Sequence, residues 1–554
     1  MPVDNTHPDY DANVFAWWRA RDVYAGEDAV KAAGTRYLPR LDSQTDDEYA
    51  AYKKRASFFN AMARTAEGLV GLIFRREPIF HLPDSARVQS LKSNVQSRKV
   101  KPQVLQPHAQ ERALKQFVND ADMLGTRLTV YAKTVVQEIM LVGRAGSLVD
   151  WTTSSGGPMG SEDRAYAVLY QAEDILNWQT ERVNGRIVLT MVVLRETVEG
   201  QTEEDFSRER VEQIRVLRLA PVQSLKSKVQ SKNEDGGAQG QSLPRSHERS
   251  YIVEIWQRRG AKSRRGKTGW ELMEIRTPSR RGKPLPLIPF VFHGPRHSLP
   301  VVDKLPLGDI IAVNLDHYRL NADYKHGLHF TALPTAWVSG FDKSSTLRIG
   351  SSTAWVAETP GATAGFLEFT GQGLTTFERA MDRDERLMAV LGTRMLESQK
   401  RVGESADAIE LRQSGENSVL SAVSISVGDS LTQVLRWVYW WNSTEATPDA
   451  IGEDLVLAQL NADFGTKGMA SDEITAIVAA WQANAISRET MFELFRKGEV
   501  LPAGRSNQEE ARLVAKSGGE DGRLKMEDGK SGAHGVTRPT NAVVNETTQP
   551  EVVK

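Results

Sequence analysis

The chain has 554 residues, 40% of them hydrophobic and 25% charged, and its formal net charge is -1. Such a length exceeds one ordinary core, the composition is that of a globular chain rather than a disordered one, and near-neutrality excludes a generally basic nucleic-acid binder. There are no cysteines, which removes disulfides, thiolate nucleophiles and cysteine metal sites. The opening stretch MPVDNTHPDYDANVF lacks the basic and apolar regions of a secretory leader. The most apolar early run, Gly68 to Phe74, is far short of the ~20 residues a membrane span needs. The expectation is a protein made and kept in a cytoplasm, or assembled into a particle there, with no membrane partner.

In chain order, the first ordered region is expected to be one helix from Asp47 to Phe74, with Tyr52, Phe58, Phe59, Met62, Leu69, Val70 and Ile73 near helical spacing. Pro78 ends it. The decapeptide VQSLKSNVQS (Val88 to Ser97) recurs as VQSLKSKVQS (Val222 to Ser231), 134 positions later. Two copies do not make a solenoid, and both are expected to be exposed, mobile and dispensable loop insertions. A second helix fits Ala113 to Gly143 with a break at Gly125, and Gly146 to Trp151 reads as a strand. From Tyr166 to about Phe292 the period changes to two, which predicts an antiparallel β-rich module.

Helices return from Pro306 to Gly327, where Leu307, Ile310, Ile311, Leu315, Tyr318 and Ala322 form one stripe and Gly327 suits the position after a helix C-terminus. Leu328 to about Gly373 reads as irregular or strand-like. The next helix, Leu374 to about Gln399, carries Phe377, Met381, Met388, Leu391 and Met395 on one face. Another, about Glu404 to Trp441, places Leu420, Val423, Val427, Leu431, Val434, Val438 and Trp441 at steps of three and four, the clearest amphipathic pattern in the chain. Shorter helices are expected at SDEITAIVAAWQANA and SRETMFELFRKGEV. From about Ser517 the sequence is polar and Gly-rich, the composition of a disordered tail. The fold class is therefore α+β.

The segment HYRLNADYKHGLHF, His317 to Phe330, has the composition of an active site, with three histidines, two tyrosines and several charges. At ~100° per residue, however, His317 and His326 point roughly 180° apart and cannot share a metal ion from one helix. His293 and His297 have the spacing of a zinc pair, but Pro295 between them blocks a regular helix. GAKSRRGKTG, Gly260 to Gly269, resembles a phosphate-binding Walker loop. It has one residue too many between its glycines, and strand-like flanks where that loop needs strand then helix. The expectation is neither an enzyme nor a cofactor binder. From Arg258 to Lys283 ten lysines and arginines, among them Arg258, Arg259, Lys262, Arg264, Arg265 and Lys267, face only Glu271 and Glu274, a local net of +8. Such a patch suits phosphate backbone or an acidic protein face, and equally a solvated hairpin tip.

The order of several segments over Tyr10 to Leu513 resembles the portal proteins of tailed bacteriophages, of a branch known mainly as a domain of unknown function. They include YAAYKKRASFFNAMARTAEGLVGLIFRREP (Tyr49 to Pro78), GRAGSLVDW (Gly143 to Trp151), YQAEDILNW (Tyr170 to Trp178), IPFVFHG (Ile288 to Gly294), LNADYKHGLHFTALPTAWVSG (Leu320 to Gly340) and GENSVLSAV (Gly415 to Val423). The two VQSLKS segments depart from that pattern. The resemblance implies a portal fold with residues 1–305 as a helical and β-rich wing and 306–400 as two stem helices with a clip at about 328–373. It further implies a tunnel loop and long helix at 401–445, a crown at 446–514 and a disordered tail at 515–554. It implies a ring, a dodecamer, at the capsid vertex of the virion. Double-stranded DNA passes through its tunnel during packaging and ejection. The terminase large subunit, a head-tail adaptor protein and the major capsid protein are its partners. Lys400 and Arg401 are the tunnel candidates that the resemblance implies. The competing readings are a packaging ATPase or nuclease, which the failed Walker spacing disfavours, and a monomeric capsid adaptor.

Overall fold

The computed structural model describes residues 2–82, 107–152, 164–183, 185–200, 209–221, 249–258, 269–332, 335–341, 355, 359–367, 371, 373–394, 418–464, 471–498, 500–501 and 506–514. Both copies of the repeated decapeptide and the C-terminal tail lie outside them. The protein is α+β and divides into two compact units, Met1–Thr466 and Lys467–Lys554. In the second unit the two expected helices form, α10 (Ser471–Gln482) and α11 (Arg488–Lys497), the latter capped by the Ser487 side chain on Thr490 N.

The first unit opens with a helix the sequence reading does not anticipate, α1 (Pro8–Ala25), followed by α2 (Glu27–Ala32). Tyr10, Val14 and Trp17 of α1 are buried while Phe15 and Trp18 are exposed, so aromatic residues occupy both sides and the helical period is blurred. The single helix expected over Asp47 to Phe74 is two, α3 (Asp46–Arg55) and α4 (Ala61–Ile73). Thr45 and Glu48 form a capping box on α3, and Asn60 caps α4. The second expected helix breaks at Gly125, as anticipated, into α5 (Pro107–Asn119) and α6 (Leu128–Val142), with Gly125 at φ +87°.

The strands fall in sequence order, β1 (Ile79–His81), β2 (Ala145–Trp151), β3 (Ala165–Gln171), β4 (Ile175–Val183), β5 (Arg186–Gly200), β6 (Glu209–Pro221), β7 (Arg249–Arg258) and β8 (Trp270–Arg276), then the two-residue strands β9 (Ser279–Arg280) and β10 (Lys283–Pro284), and β11 (Phe290–His293). Strands β4 to β8 make one antiparallel five-stranded meander, and β11, β2 and β3 a three-stranded sheet with β2 central. The expected β-rich module is thus present, split between two sheets.

After the sheets come α7 (Gly308–Ala332), β12 (Thr335–Ser339), β13 (Thr363–Leu367), α8 (Leu374–Arg394), α9 (Val419–Asn442) and β14 (Leu457–Gln459). The expected apolar residues of α9 are all buried, but so are Ser421, Ser424, Ser426, Ser430, Thr432, Tyr439 and Trp440. It is a core helix buried nearly all round rather than an amphipathic surface one. Small residues allow this, because a Cβ on Gly428 would lie 3.1 Å from Ala458 O of β14. Several of these hydroxyls donate to backbone carbonyls. Ser424 donates to Asn461 O, Ser426 to Gly294 O and Thr432 to Gly428 O, at 2.6, 2.8 and 2.9 Å. Elsewhere in the core Arg21 of α1 clamps Glu138 of α6 and Glu173, at 2.7 and 2.5 Å.

Candidate assembly surface

The histidine- and tyrosine-rich segment lies on α7, and α7 is spent on packing. Its expected stripe is buried without exception. Its polar residues organise the break between α3 and α4. Asn314, fully buried, donates to Phe59 O at 2.7 Å and accepts from Met62 N at 3.0 Å. Asn321 accepts from Ser57 N at 2.8 Å, Tyr52 donates to Asp323 at 2.5 Å, and Lys325 donates to Ser57 Oγ. Arg319 donates to Tyr37 O at 2.9 Å. A helix that supplies these partners lets residues 56–60 leave helical geometry without orphaned backbone groups, which is why one expected helix became two.

The histidines have separate surroundings. His317 is buried beside Phe59 with Nε2 3.3 Å from Glu385 of α8, while His326 lies edge-on to Tyr52 and Phe330. Among the described residues no group of three or more His, Asp or Glu is placed to hold a metal ion. No described helix is long and apolar enough to cross a membrane.

His293 and His297 are not a pair either. His297 is 3.7 Å from Asp303. His293 joins a buried relay that the sequence reading missed. Tyr131 and Ser147 are 2.6 Å apart, Ser147 is 2.6 Å from His293 Nε2, and His293 Nδ1 is 2.7 Å from Ser430, which donates to Val427 O. With the Ser430 proton on the Val427 carbonyl, Nδ1 donates to Ser430 and Nε2 accepts from Ser147; with it on Nδ1, the roles reverse. The ring is neutral, and burial drives its pKa down to about 3. Serine beside histidine suggests a nucleophile and base, but a histidine this acidic and fully enclosed takes no proton from substrate at neutral pH. It ties α6, β2, β11 and α9 together.

Helix α8 lies along α7 and turns Phe377, Met381, Met388 and Leu391 inward, as the sequence predicts; Met395 lies outside the described residues. Gly327 does not end α7, which runs on to Ala332. A Cβ there would come within 2.7 Å of Leu374 Cδ2, so the glycine permits close approach of the two helices rather than a terminal turn. Asp384 also faces inward, 2% exposed, with Oδ2 unpartnered among the described residues and its pKa raised by burial and by Asp316.

Beyond the helix pair, β12 and β13 form an antiparallel two-stranded ribbon in register from Thr335–Leu367 to Ser339–Thr363. Among the described residues of the region expected to be irregular or strand-like, 328–332 instead continue α7, and the strand-like part is the ribbon. Trp337, Val338, Phe366 and Leu367 of the ribbon and Leu328 and Phe330 of α7 are exposed. A two-stranded ribbon with this much apolar surface is marginal alone. Leu387 and Val390 of α8 are exposed as well.

Of the basic patch, Arg258 is described and pairs with Glu212 at 2.9 Å. Arg259, Lys262, Arg264, Arg265 and Lys267 lie outside the described residues, as do Lys400 and Arg401. Nearby, Arg280 stacks 4.0 Å above Trp440 and donates to the carbonyls of Ser443 and Glu445.

A family model described as a domain of unknown function (DUF4055) matches residues 306–442, the span from the start of α7 to the end of α9. No curated protein matches the chain. Among solved structures, a chain from the neck of an empty GTA particle computed with C6 symmetry is similar at 12% identity. The match covers 85% of this chain and 98% of that one with a TM-score of 0.32. At that score the likeness carries no argument.

Proposed function

We propose that the chain is the portal protein of a tailed-phage-like particle. Copies form a ring at the capsid vertex of the virion, assembled in the host cytoplasm, that conducts double-stranded DNA without catalysing a reaction. The observation that carries this reading is the antiparallel pair α7–α8 with an apolar ribbon at its open end. One flank of α7 is absorbed by the core, while the ribbon and the outer face of α8 expose Trp337, Phe366, Leu367, Leu387 and Val390. Surface of that kind is completed by neighbours. On the resemblance, α7 and α8 are the stem helices, the ribbon belongs to the clip that meets the terminase large subunit and then the head-tail adaptor, and the wing meets the major capsid protein. On the same resemblance Ser398 to Glu404, with Lys400 and Arg401, is the tunnel loop, a stretch outside the described residues. Sparse cationic contacts suit passage, since each neutralised phosphate adds affinity and therefore drag.

Negative-stain microscopy of purified protein beside an ATP-turnover assay tests the proposal. The expected result is rings, dodecamers, with a central hole and no turnover. Compact particles that hydrolyse ATP would assign a packaging enzyme, and compact particles without turnover a monomeric adaptor.

A further inference from the structure

The meander β4–β8 packs one face on the core, and residues 2–7 lie against part of the sheet at β4. Asn177 of β4 donates to Asn5 O and His7 N to Leu176 O, both at 2.9 Å, and the His7 ring stacks on Trp178 at 4.0 Å. Beside the turn that residues 2–5 form, closed by Asn5 N donating to Pro2 O at 3.3 Å, lies a cleft of about 820 Å³, lined among others by Met191, Val216, Arg218, Glu254, Trp256 and Trp270. Glu254 is 3% exposed, and its one hydrogen bond among the described residues is from Trp256 Nε1 at 3.2 Å. Arg218 has a buried Nε without a partner among the described residues. The two charges do not pair with each other. Glu254 stands opposite Val216, so Arg218 is its diagonal neighbour on the adjacent strand. The other charged groups at the cleft are engaged or exposed, Arg258 with Glu212 and Asp4 on the overlying segment.

Diagonal neighbours on a sheet are about 7–8 Å apart. Side chains at i and i+2 of an extended peptide point the same way at about 6.8 Å. We propose that this cleft docks an extended segment of a partner protein carrying a basic and an acidic side chain two residues apart. The basic group meets Glu254, with its stem across the indoles of Trp256 and Trp270, and the acidic group meets Arg218. A small ion matches one charge only, whereas a strand of this spacing satisfies both. The inference is independent of the ring.

Three fluorescently labelled nonapeptides test it on the full-length protein by anisotropy, with Lys-Thr-Glu, adjacent Lys-Glu or Gln-Thr-Gln at the centre. Lys-Thr-Glu is expected to bind at least about tenfold more tightly than the others, since adjacent residues point to opposite faces and glutamine lacks the charge. Glu254→Gln and Arg218→Gln are each expected to weaken it by about tenfold with unchanged unfolding midpoints. Should one variant fail to fold, the other carries the test. Equal binding of all three peptides, indifference to both substitutions, or no binding at millimolar peptide overturns the proposal. So does hydrogen-exchange protection of β6 and β7 that grows with protein concentration alone, which assigns the cleft to a second copy of the chain.

Discussion

Asn314 and His293 show how polar residues hold this fold. Asn314→Leu strands Phe59 O and Met62 N in a dry interface, and denaturant unfolding is expected to show a loss of about 2–4 kcal/mol. His293 makes stability depend on pH. Its folded-state pKa, about 3, lies below the ordinary 6.5, so folding favours the neutral ring. The contribution is complete above 6.5 and is lost as pH falls from there toward 3, at about 1.4 kcal/mol per pH unit. Unfolding midpoints across that window should fall less steeply in His293→Gln; identical slopes in the two proteins would remove the assignment. Little of this was legible in the sequence. Spacing set His317 and His326 on opposite sides of α7 and set Pro295 against a helical pair, but placing His329 beyond a helix end at Gly327 was wrong, because α7 runs on to Ala332. It could not show that Ser147, Ser430 and Tyr131 converge on His293, because these come from separate elements brought together only by packing.

At the level of elements, periodicity served well wherever a helix or strand buries one face. The stripes of α7 and α8 and the strands of the meander follow from it. It failed in three ways. The break between α3 and α4 depends on side chains of α7 more than 250 positions away. Helix α1 carries aromatic residues on both sides. Gly327 resembles a helix terminus, yet it sits mid-helix under Leu374. Substitution there separates the explanations. Gly327→Ala should be near neutral, because about 1 kcal/mol of helix propensity offsets a small shift of the flexible Leu374 end. Gly327→Leu should cost about 1–3 kcal/mol by wedging α7 from α8, and Leu374→Ala should recover part of it. If Gly327→Leu proves neutral in thermal unfolding, the close approach is not a constraint. Asp384 supplies the opposite case. Replacing this inward, incompletely paired carboxylate by leucine should raise the thermal midpoint, with a gain of about 1–3 kcal/mol.

For the whole molecule, the prediction concerns association. Phe366→Glu with Leu367→Glu places two charges on the ribbon β12–β13 while leaving the buried core untouched. Circular dichroism and the unfolding midpoint should not change, whereas under the proposed portal function docking of the adaptor or motor should weaken by tenfold or more, read by co-sedimentation. Unaltered docking would move that contact elsewhere. The likeness of segment order along the chain suggested a portal, but the sequence could not reveal which apolar residues stay uncovered, since hydropathy does not distinguish a residue awaiting a neighbour from one in the core.

The central position of α9 has a consequence during synthesis. This helix contacts β2, β3, β11, α5 and α6, all encoded far upstream, and β14 after it pairs with β1 near the start of the chain. A nascent polypeptide that has not reached Val419 therefore lacks the helix against which these sheets and early helices pack, and only the last part of the first unit supplies it. Translation products ending before Val419 should be insoluble or chaperone-bound, and a separately supplied fragment spanning 418–464 should restore their solubility.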